Sequence, residues 1–511
     1  MRIPTRILTI SLTVIALIMP GAAAGAATTS GRPQSIAWAP CPEDPTAECG
    51  TLRVPVDWDR PHGATFDLAL ARRKATDPAA RIGSLVINPG GPGGSGVDFA
   101  IFAPDYFSPE LRRHFDLVGF DPRGVARSHP VVCSLELLSQ TPPTIMTSQA
   151  DFDAMVAFNR ALGRDCRART GPLFDHVDTL SVVRDIDAIR AAVGDKRLTY
   201  YGVSYGTLMG QQYAEEFPHH VRALVLDSNM DHSLGTRGFL DTEAATTQDV
   251  FTEFVTGCGN DSRCSLFGQD IKALWGDLLA RAARGELRLP GAPPDSPPLS
   301  PFDLQSIAFG AFYGPDWFGL ADFLAALDAT PPAAARLQAD EVAENPFQAV
   351  FCEDWRLPVR DYREFAAHLD RMAGIAPDYK LSPLAVFATV ACLGWPARVN
   401  NPQHELRVRH SPTLFMTNSL HDPATAYSWA TDAARQLGGS AVLLTYDGWG
   451  HGVYGRGPCP TDAMDSYLIA SVLPARGSHC PAVLPQPFGV SSASGGRPLP
   501  SGPRPGLPGW W

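Results

Sequence analysis

The run Leu198-Thr199-Tyr200-Tyr201 passes without a linker into Gly202-Val203-Ser204-Tyr205-Gly206 and then into a helical stretch, Thr207 to Phe217, stopped by Pro218. A buried strand that turns straight into a helix commits the chain to a layered α/β architecture, because the helix must pack back over the sheet its strand has just left. The corner has the form Gly-x-Ser-x-Gly, which places a serine on a strained strand-to-helix turn with its hydroxyl presented at the sheet edge. Flanking glycines permit that backbone and a close helix approach. A serine hydroxyl is a weak nucleophile at neutral pH; it needs an imidazole to take its proton and a carboxylate to orient the imidazole. Ser204 is the candidate nucleophile.

Further apolar runs predict buried parallel strands: Gly83 to Asn88, Phe115 to Phe120, Val221 to Leu226, Thr413 to Asn418 and Ala441 to Tyr446. Ser181 to Val193 carries Val182, Ile186, Ile189 and Val193 on one helical face. Between about Asp231 and Asn401 the strand signals stop and helical patterns take over, such as Ile271 to Ala283 and Leu304 to Leu327, with a Pro-rich linker at Leu289 to Pro301. The organisation expected is an α/β-hydrolase fold, a mostly parallel central sheet flanked by helices. Its core comprises residues 27–231 and 406–485, and an inserted helical cap spans 232–405.

Among thirteen histidines, His451 stands in Gly448-Trp449-Gly450-His451-Gly452, just after the last expected strand. The acid expected is Asp422, in Ser419-Leu420-His421-Asp422-Pro423. Asp227 after Val221 to Leu226 is the second candidate, and Asp447 is expected to be a loop residue. His421 competes with His451 as base but breaks the acid-then-histidine order of the fold. The loop Asn88-Pro89-Gly90-Gly91-Pro92-Gly93-Gly94-Ser95-Gly96 contains the spacing G-x-G-x-x-G, a dinucleotide-binding signature. Two prolines stiffen it and no clear helix begins at it, which favours the other use of such a loop, an oxyanion hole. Gly91 and Tyr205 are the expected N–H donors.

The formal net charge of −11, with no basic stripe, argues against a nucleic-acid partner. Residues 1–26 read as a signal peptide: Arg2 and Arg6, an apolar segment from Ile7 to Met19, then small residues. That segment is short of the ~20 residues needed to span a bilayer, so a secreted chain with no stable membrane span is expected. Ten cysteines fall in sequence as Cys41 and Cys49, Cys133 and Cys166, Cys258 and Cys264, Cys352 and Cys392, Cys459 and Cys480. In an exported chain they favour disulfides over zinc, with connectivity left open. Residues 486–511, rich in Pro, Gly and Ser, are expected to be a disordered tail.

Taken together, NPGGPGGSG, FDPRGVARS, YGVSYGT, the Asp422-Pro423 turn and GWGHG resemble the secreted tripeptidyl aminopeptidases of actinobacteria, relatives of the proline iminopeptidases. The resemblance runs from about Cys41 to Cys480. It implies a capped α/β-hydrolase that needs no metal or other cofactor and releases short peptides, often tripeptides, from free N termini. By position it matches Ser204, Asp422 and His451 to a catalytic triad; Asp121-Pro122-Arg123-Gly124 resembles a D-x-R-G loop of structural use. A free α-amino group, pKa ~7.7–8, is largely cationic at neutral pH and needs a carboxylate if enclosed. Glu353 and Asp354, in Phe351-Cys352-Glu353-Asp354-Trp355, are the expected ammonium partners, resembling an acidic segment of the family's cap. They would sit about three extended residues, roughly 10 Å, from the nucleophile. A carboxylesterase uses the same machinery, and a non-catalytic binding protein on the same scaffold is the rival from another class. An epoxide or dehalogenating hydrolase would carry Asp where Ser204 stands.

Overall fold

The computed structural model describes residues 35–291, 296–329 and 342–487. The expected signal peptide and the tail beyond residue 487 lie outside the described residues. Among the described residues there are twelve strands: β1 (Ala39–Pro40), β2 (Glu48–Pro55), β3 (Thr65–Arg73), β4 (Gly83–Asn88), β5 (Phe115–Phe120), β6 (Val132–Ser134), β7 (Leu198–Val203), β8 (Val221–Asp227), β9 (Val342–Glu344), β10 (Leu414–His421), β11 (Ala441–Trp449) and β12 (His479–Cys480). Ten of them make one sheet in the order β1-β2-β3-β5-β4-β7-β8-β10-β11-β12. From β5 to β12 every neighbouring pair is parallel. At the other edge β1, β2 and β3 run antiparallel.

The parallel strands are apolar along their length because both faces are covered. Val86, Val118, Tyr200, Leu224 and Met416 join the core on one face, while Leu85, Leu117, Tyr201, Val225 and Phe415 join the core on the other. The antiparallel edge was not expected from sequence. Its strands mix exposed Thr65 and Asp67 with buried Phe66 and Leu68, a half-buried pattern weaker than a continuous apolar run.

The sheet is flanked by α1 (Gly96–Tyr106), α2 (Pro109–His114), α5 (Thr179–Ala192), α6 (Tyr205–Glu216), α14 (Tyr427–Leu437) and α15 (Pro458–Ala470). The chain between β5 and α5 adds α3 (Leu135–Leu138) and α4 (Gln149–Thr170). Between β8 and β10 come α7 (Thr236–Asn260), α8 (Ile271–Ala283), α9 (Pro301–Tyr313), α10 (Trp317–Ala329), α11 (Pro346–Asp354), α12 (Tyr362–Ile375) and α13 (Pro383–Ala391).

Three expectations need correction. The pattern over Leu304 to Leu327 is two helices, α9 and α10, separated where Gly314 and Pro315 interrupt the backbone. A helix does begin at the glycine-rich loop: Ser95 caps α1, its hydroxyl accepting from Asp98 N. The chain between β8 and β10 is also not wholly helical, since β9 pairs antiparallel with β6. Through that pairing, and through Asn159 Nδ2 donating to the Val390 and Leu393 carbonyls, residues 132–170 pack with the helices that follow β8. All ten cysteines are paired, Cys41–Cys49, Cys133–Cys166, Cys258–Cys264, Cys352–Cys392 and Cys459–Cys480.

Candidate active site

Parallel α/β sheets present their functional groups at the C-terminal ends of the strands. Ser204 follows β7, Asp422 follows β10 and His451 follows β11, three strands separated only by β8 in the sheet order. Ser204 has φ 58° and ψ −123°, a conformation costing about 1–3 kcal/mol for a residue with a side chain. The turn is held from both sides: Ser204 N donates to the Asp227 carbonyl at 2.9 Å, and Thr207 donates to the Ser204 carbonyl through N at 2.8 Å and Oγ1 at 2.6 Å.

His451 Nδ1 lies 2.9 Å from Asp422 Oδ1 and 3.1 Å from Oδ2. Burial works to raise the Asp422 pKa, but the charge and hydrogen bond of His451, with the Thr425 and Ala424 N–H groups, outweigh it and hold the carboxyl below its ordinary value. Thr425 Oγ1 donates to Asp422 Oδ2 at 3.0 Å and lies 3.4 Å from His451 Nδ1. The rival acid, Asp227, has another place. Its carboxylate accepts from Val453 N, Tyr454 N and the Tyr201 hydroxyl, at 2.8, 3.0 and 2.8 Å. Asp227 therefore anchors the nucleophile turn through its carbonyl and the His451 loop through its carboxylate. Ser228 reinforces the second anchor, its hydroxyl accepting from Gly452 N at 2.8 Å. His421 Nδ1 pairs with Asp249 at 2.7 Å, and Asp447 pairs with His479 at the surface.

The glycine-rich loop lies against the nucleophile turn. A Cβ at Gly90, whose φ is +83°, would stand 2.3 Å from the Val203 carbonyl oxygen and 2.9 Å from Tyr205 N. Only glycine lets this loop come so close to the nucleophile turn. The helices after β8, the expected cap, reach the site. Tyr313, the last residue of α9, accepts from His451 N at 2.9 Å and from Arg456 Nη2 at 3.0 Å through its carbonyl; its ring meets the imidazole edge-on at 5.1 Å. Arg456 also holds the His451 carbonyl at 3.0 Å. Glu243 on α7 is fully buried, takes one bond from Ser382 Oγ at 3.0 Å, and is pushed well up, first by burial and then by the nearby Asp422 charge.

Glu353 and Asp354, the expected ammonium partners, are the last two residues of α11. Both are fully buried. Asp354 accepts from Thr179 N (2.8 Å), Thr179 Oγ1 (2.6 Å), Tyr205 Oη (2.6 Å) and Asn401 Nδ2 (2.9 Å). Glu353 accepts from Val177 N and Asn400 Nδ2, both at 3.1 Å. Asp354 is thus engaged on both oxygens, whereas Glu353 takes both of its bonds on Oε2 and its buried Oε1 has no hydrogen-bond partner among the described residues. Sequence reasoning did not find Thr425, Ser228, Arg456, Tyr313 or Glu243. None sits in a recognisable motif, and only the hydroxyl three residues after Asp422 offers a local signal, the turn-forming Asp-x-x-Thr spacing.

Residues 83–337 match the family described as alpha/beta hydrolase fold, and residues 381–480 match one described as TAP-like protein. The chain is 33% identical over 507 residues to the serine protease Hip1 of Mycobacterium tuberculosis, covering 92% of this chain and 96% of that protein. It is 31% identical over 499 residues to the tripeptidyl aminopeptidase of Streptomyces coelicolor, with 91% and 90% covered. Carboxylesterase B of Mycobacterium tuberculosis is 32% identical over 465 residues, with 85% and 86% covered. With a serine on the strained corner and a buried histidine–aspartate pair on the adjoining loops, the chain is a serine hydrolase, and it belongs to the family of actinobacterial tripeptidyl aminopeptidases and their proline iminopeptidase-like α/β-hydrolase relatives.

Proposed function

We propose that the protein is an exported serine exopeptidase that releases short peptides, tripeptides foremost, from free N termini. Ser204 Oγ attacks the scissile carbonyl while His451 takes its proton, and Asp422 keeps the imidazole in the required tautomer. The N–H groups of Gly91 and Tyr205 bind the oxyanion of the tetrahedral intermediate. His451 then protonates the leaving amine, and water hydrolyses the acyl-enzyme by the same steps. One observation carries the reading: Asp227 ties the Ser204 turn and the His451 loop to a single residue while His451 rests on Asp422. The relatives named serine protease and tripeptidyl aminopeptidase support a peptide substrate. Five disulfides suit an oxidising compartment outside the cytoplasm.

The relative named carboxylesterase B favours a second reading, ester hydrolysis by the same groups. Fluorogenic mono-, di- and tripeptide amides, free and N-acetylated, assayed beside aryl esters, separate the two. Fastest turnover of free tripeptides, lost on acetylation, is the expected result. Equal rates on blocked and free peptides remove the exopeptidase reading, and hydrolysis of esters alone installs the esterase.

A further inference from the structure

The two segments proposed to supply the oxyanion donors are touched by one cap element. At its N-terminal end, Pro346 of α11 lies against the glycine-rich loop: a Cβ at Gly93 would stand 2.9 Å from Pro346 Cγ. Its C-terminal residue, Asp354, accepts the Tyr205 hydroxyl at 2.6 Å. Along the helix and into the residue that follows it, Phe347, Phe351 and Trp355 stack in near-parallel series, with ring centroids 5.5 Å apart at each step. Cys352 ties the helix to Cys392 at the end of α13. A nine-residue helix thus spans from one donor segment to the other.

We propose that α11 sets the geometry of the oxyanion hole, with Asp354 as a positioning residue that acts through the Tyr205 side chain. The inference rests on the reading of Gly91 and Tyr205 as oxyanion donors. Tyr205 is the first residue of α6, and its N–H leaves the strained corner formed by Ser204. Its aim depends on how firmly the first turn of α6 is fixed. The Tyr205 side chain is fully buried, and its hydroxyl ends on a carboxyl that also takes Thr179 N, Thr179 Oγ1 and Asn401 Nδ2. Asp354 is held in turn by its own carbonyl, which accepts His232 Nε2–H at 2.8 Å. Tyr205, α5, the 400–401 loop and the cap therefore meet on one side chain. Donors are effective when already aimed at the oxygen that becomes charged, because no reorganisation is then needed during the reaction. A rotation of the first turn that leaves the substrate seated still misdirects the Tyr205 N–H.

The test is Tyr205→Phe, which deletes one oxygen and keeps the ring and the N–H, beside Asp354→Asn. On a free tripeptide anilide, Tyr205→Phe is expected to lower kcat by about ten- to a hundredfold with KM nearly unchanged. Affinity for a peptide boronate, which forms a tetrahedral adduct with a serine, should fall by the same factor as kcat/KM, while affinity for the product tripeptide holds. The double variant should be no worse than the weaker single variant, since both remove one link. A Tyr205→Phe protein with full turnover and full boronate affinity overturns the proposal, even if its melting temperature drops. Should Asp354→Asn fail to fold, Tyr205→Phe decides alone. Ser204→Ala separates the two levels. If it retains hydrolysis, the proposed function falls. If it is inactive while Tyr205→Phe is unimpaired, only the positioning role falls.

Discussion

Asp227 and Asp422 are both fully buried carboxyls at the C-terminal ends of neighbouring strands, yet only Asp422 meets the imidazole. Asp422→Asn should leave the fold intact and lower kcat by about 10⁴, because the amide stabilises the wrong histidine tautomer. Asp227→Asn should act differently. Its amide nitrogen confronts N–H donors of Val453 and Tyr454, so the melting temperature should fall further than in Asp422→Asn; turnover that survives in Asp422→Asn but vanishes in Asp227→Asn would reverse the assignment. Thr425→Val removes a donor from Asp422 Oδ2 without changing side-chain shape much. It should lower kcat by about tenfold, on the scale of one hydrogen bond to a charged group, with KM little altered. The candidates Ser204, His451 and Asp422 stood out in the sequence because each sits in a turn-forming stretch beside an apolar strand. The supporting hydroxyls of Thr425 and Ser228 were not, since one Ser or Thr in a loop carries no periodic mark. Glu353 and Asp354 were noticed as acidic residues, but the donors at Val177, Thr179 and Tyr205 lie more than a hundred residues away in the chain, contacts that no local pattern encodes.

At the scale of elements, α11 depends on the Cys352–Cys392 bridge, which closes a 40-residue separation across α12 and α13. Chain entropy gives a loop of that size about 4 kcal/mol of stabilisation. Replacing both cysteines with serine should therefore lower the denaturation midpoint by a matching amount, measured by urea titration under non-reducing conditions. If α11 aims the oxyanion donors, kcat should fall while the protein is still folded. The continuous apolar strands β4, β5, β8, β10 and β11 were readable because burial on both faces leaves little room for polar residues. Helix α4 escaped notice for the opposite reason. Its sequence is rich in Arg and Asp, and it buries a narrow stripe of Phe152, Met155, Leu162 and Cys166. Sequence shows such a helix as a polar stretch; its partners, α13 and the loop after it, become neighbours only in the fold.

The whole molecule carries several buried carboxyls whose protonated form the fold favours. Burial and the Asp178 charge push Asp354 up to about 7, and burial pushes Glu243 and Glu353 well up. Raised carboxyls bind protons in the native state that the unfolded chain releases, so their stabilisation is complete in acid and is lost as pH rises toward and through the native pKa. Buried His232, lowered to about 4, opposes this only below its unfolded value near 6.5. Asp44 and Asp261, lowered to about 2 by hydrogen bonds chiefly from Thr46 and Arg263, contribute equally across pH 6–8. The melting temperature should therefore fall from pH 6 to pH 8, and Asp354→Asn should flatten part of that fall; scanning calorimetry across this range provides the check. One bond described above reaches furthest. The Tyr313 carbonyl at the end of α9 carries both the His451 N–H and the Arg456 guanidinium. A roof hinged to swing clear would unhook the base it shelters at every cycle. This roof is fastened to the machinery, so any swing of α9 would disturb the seat of the imidazole itself.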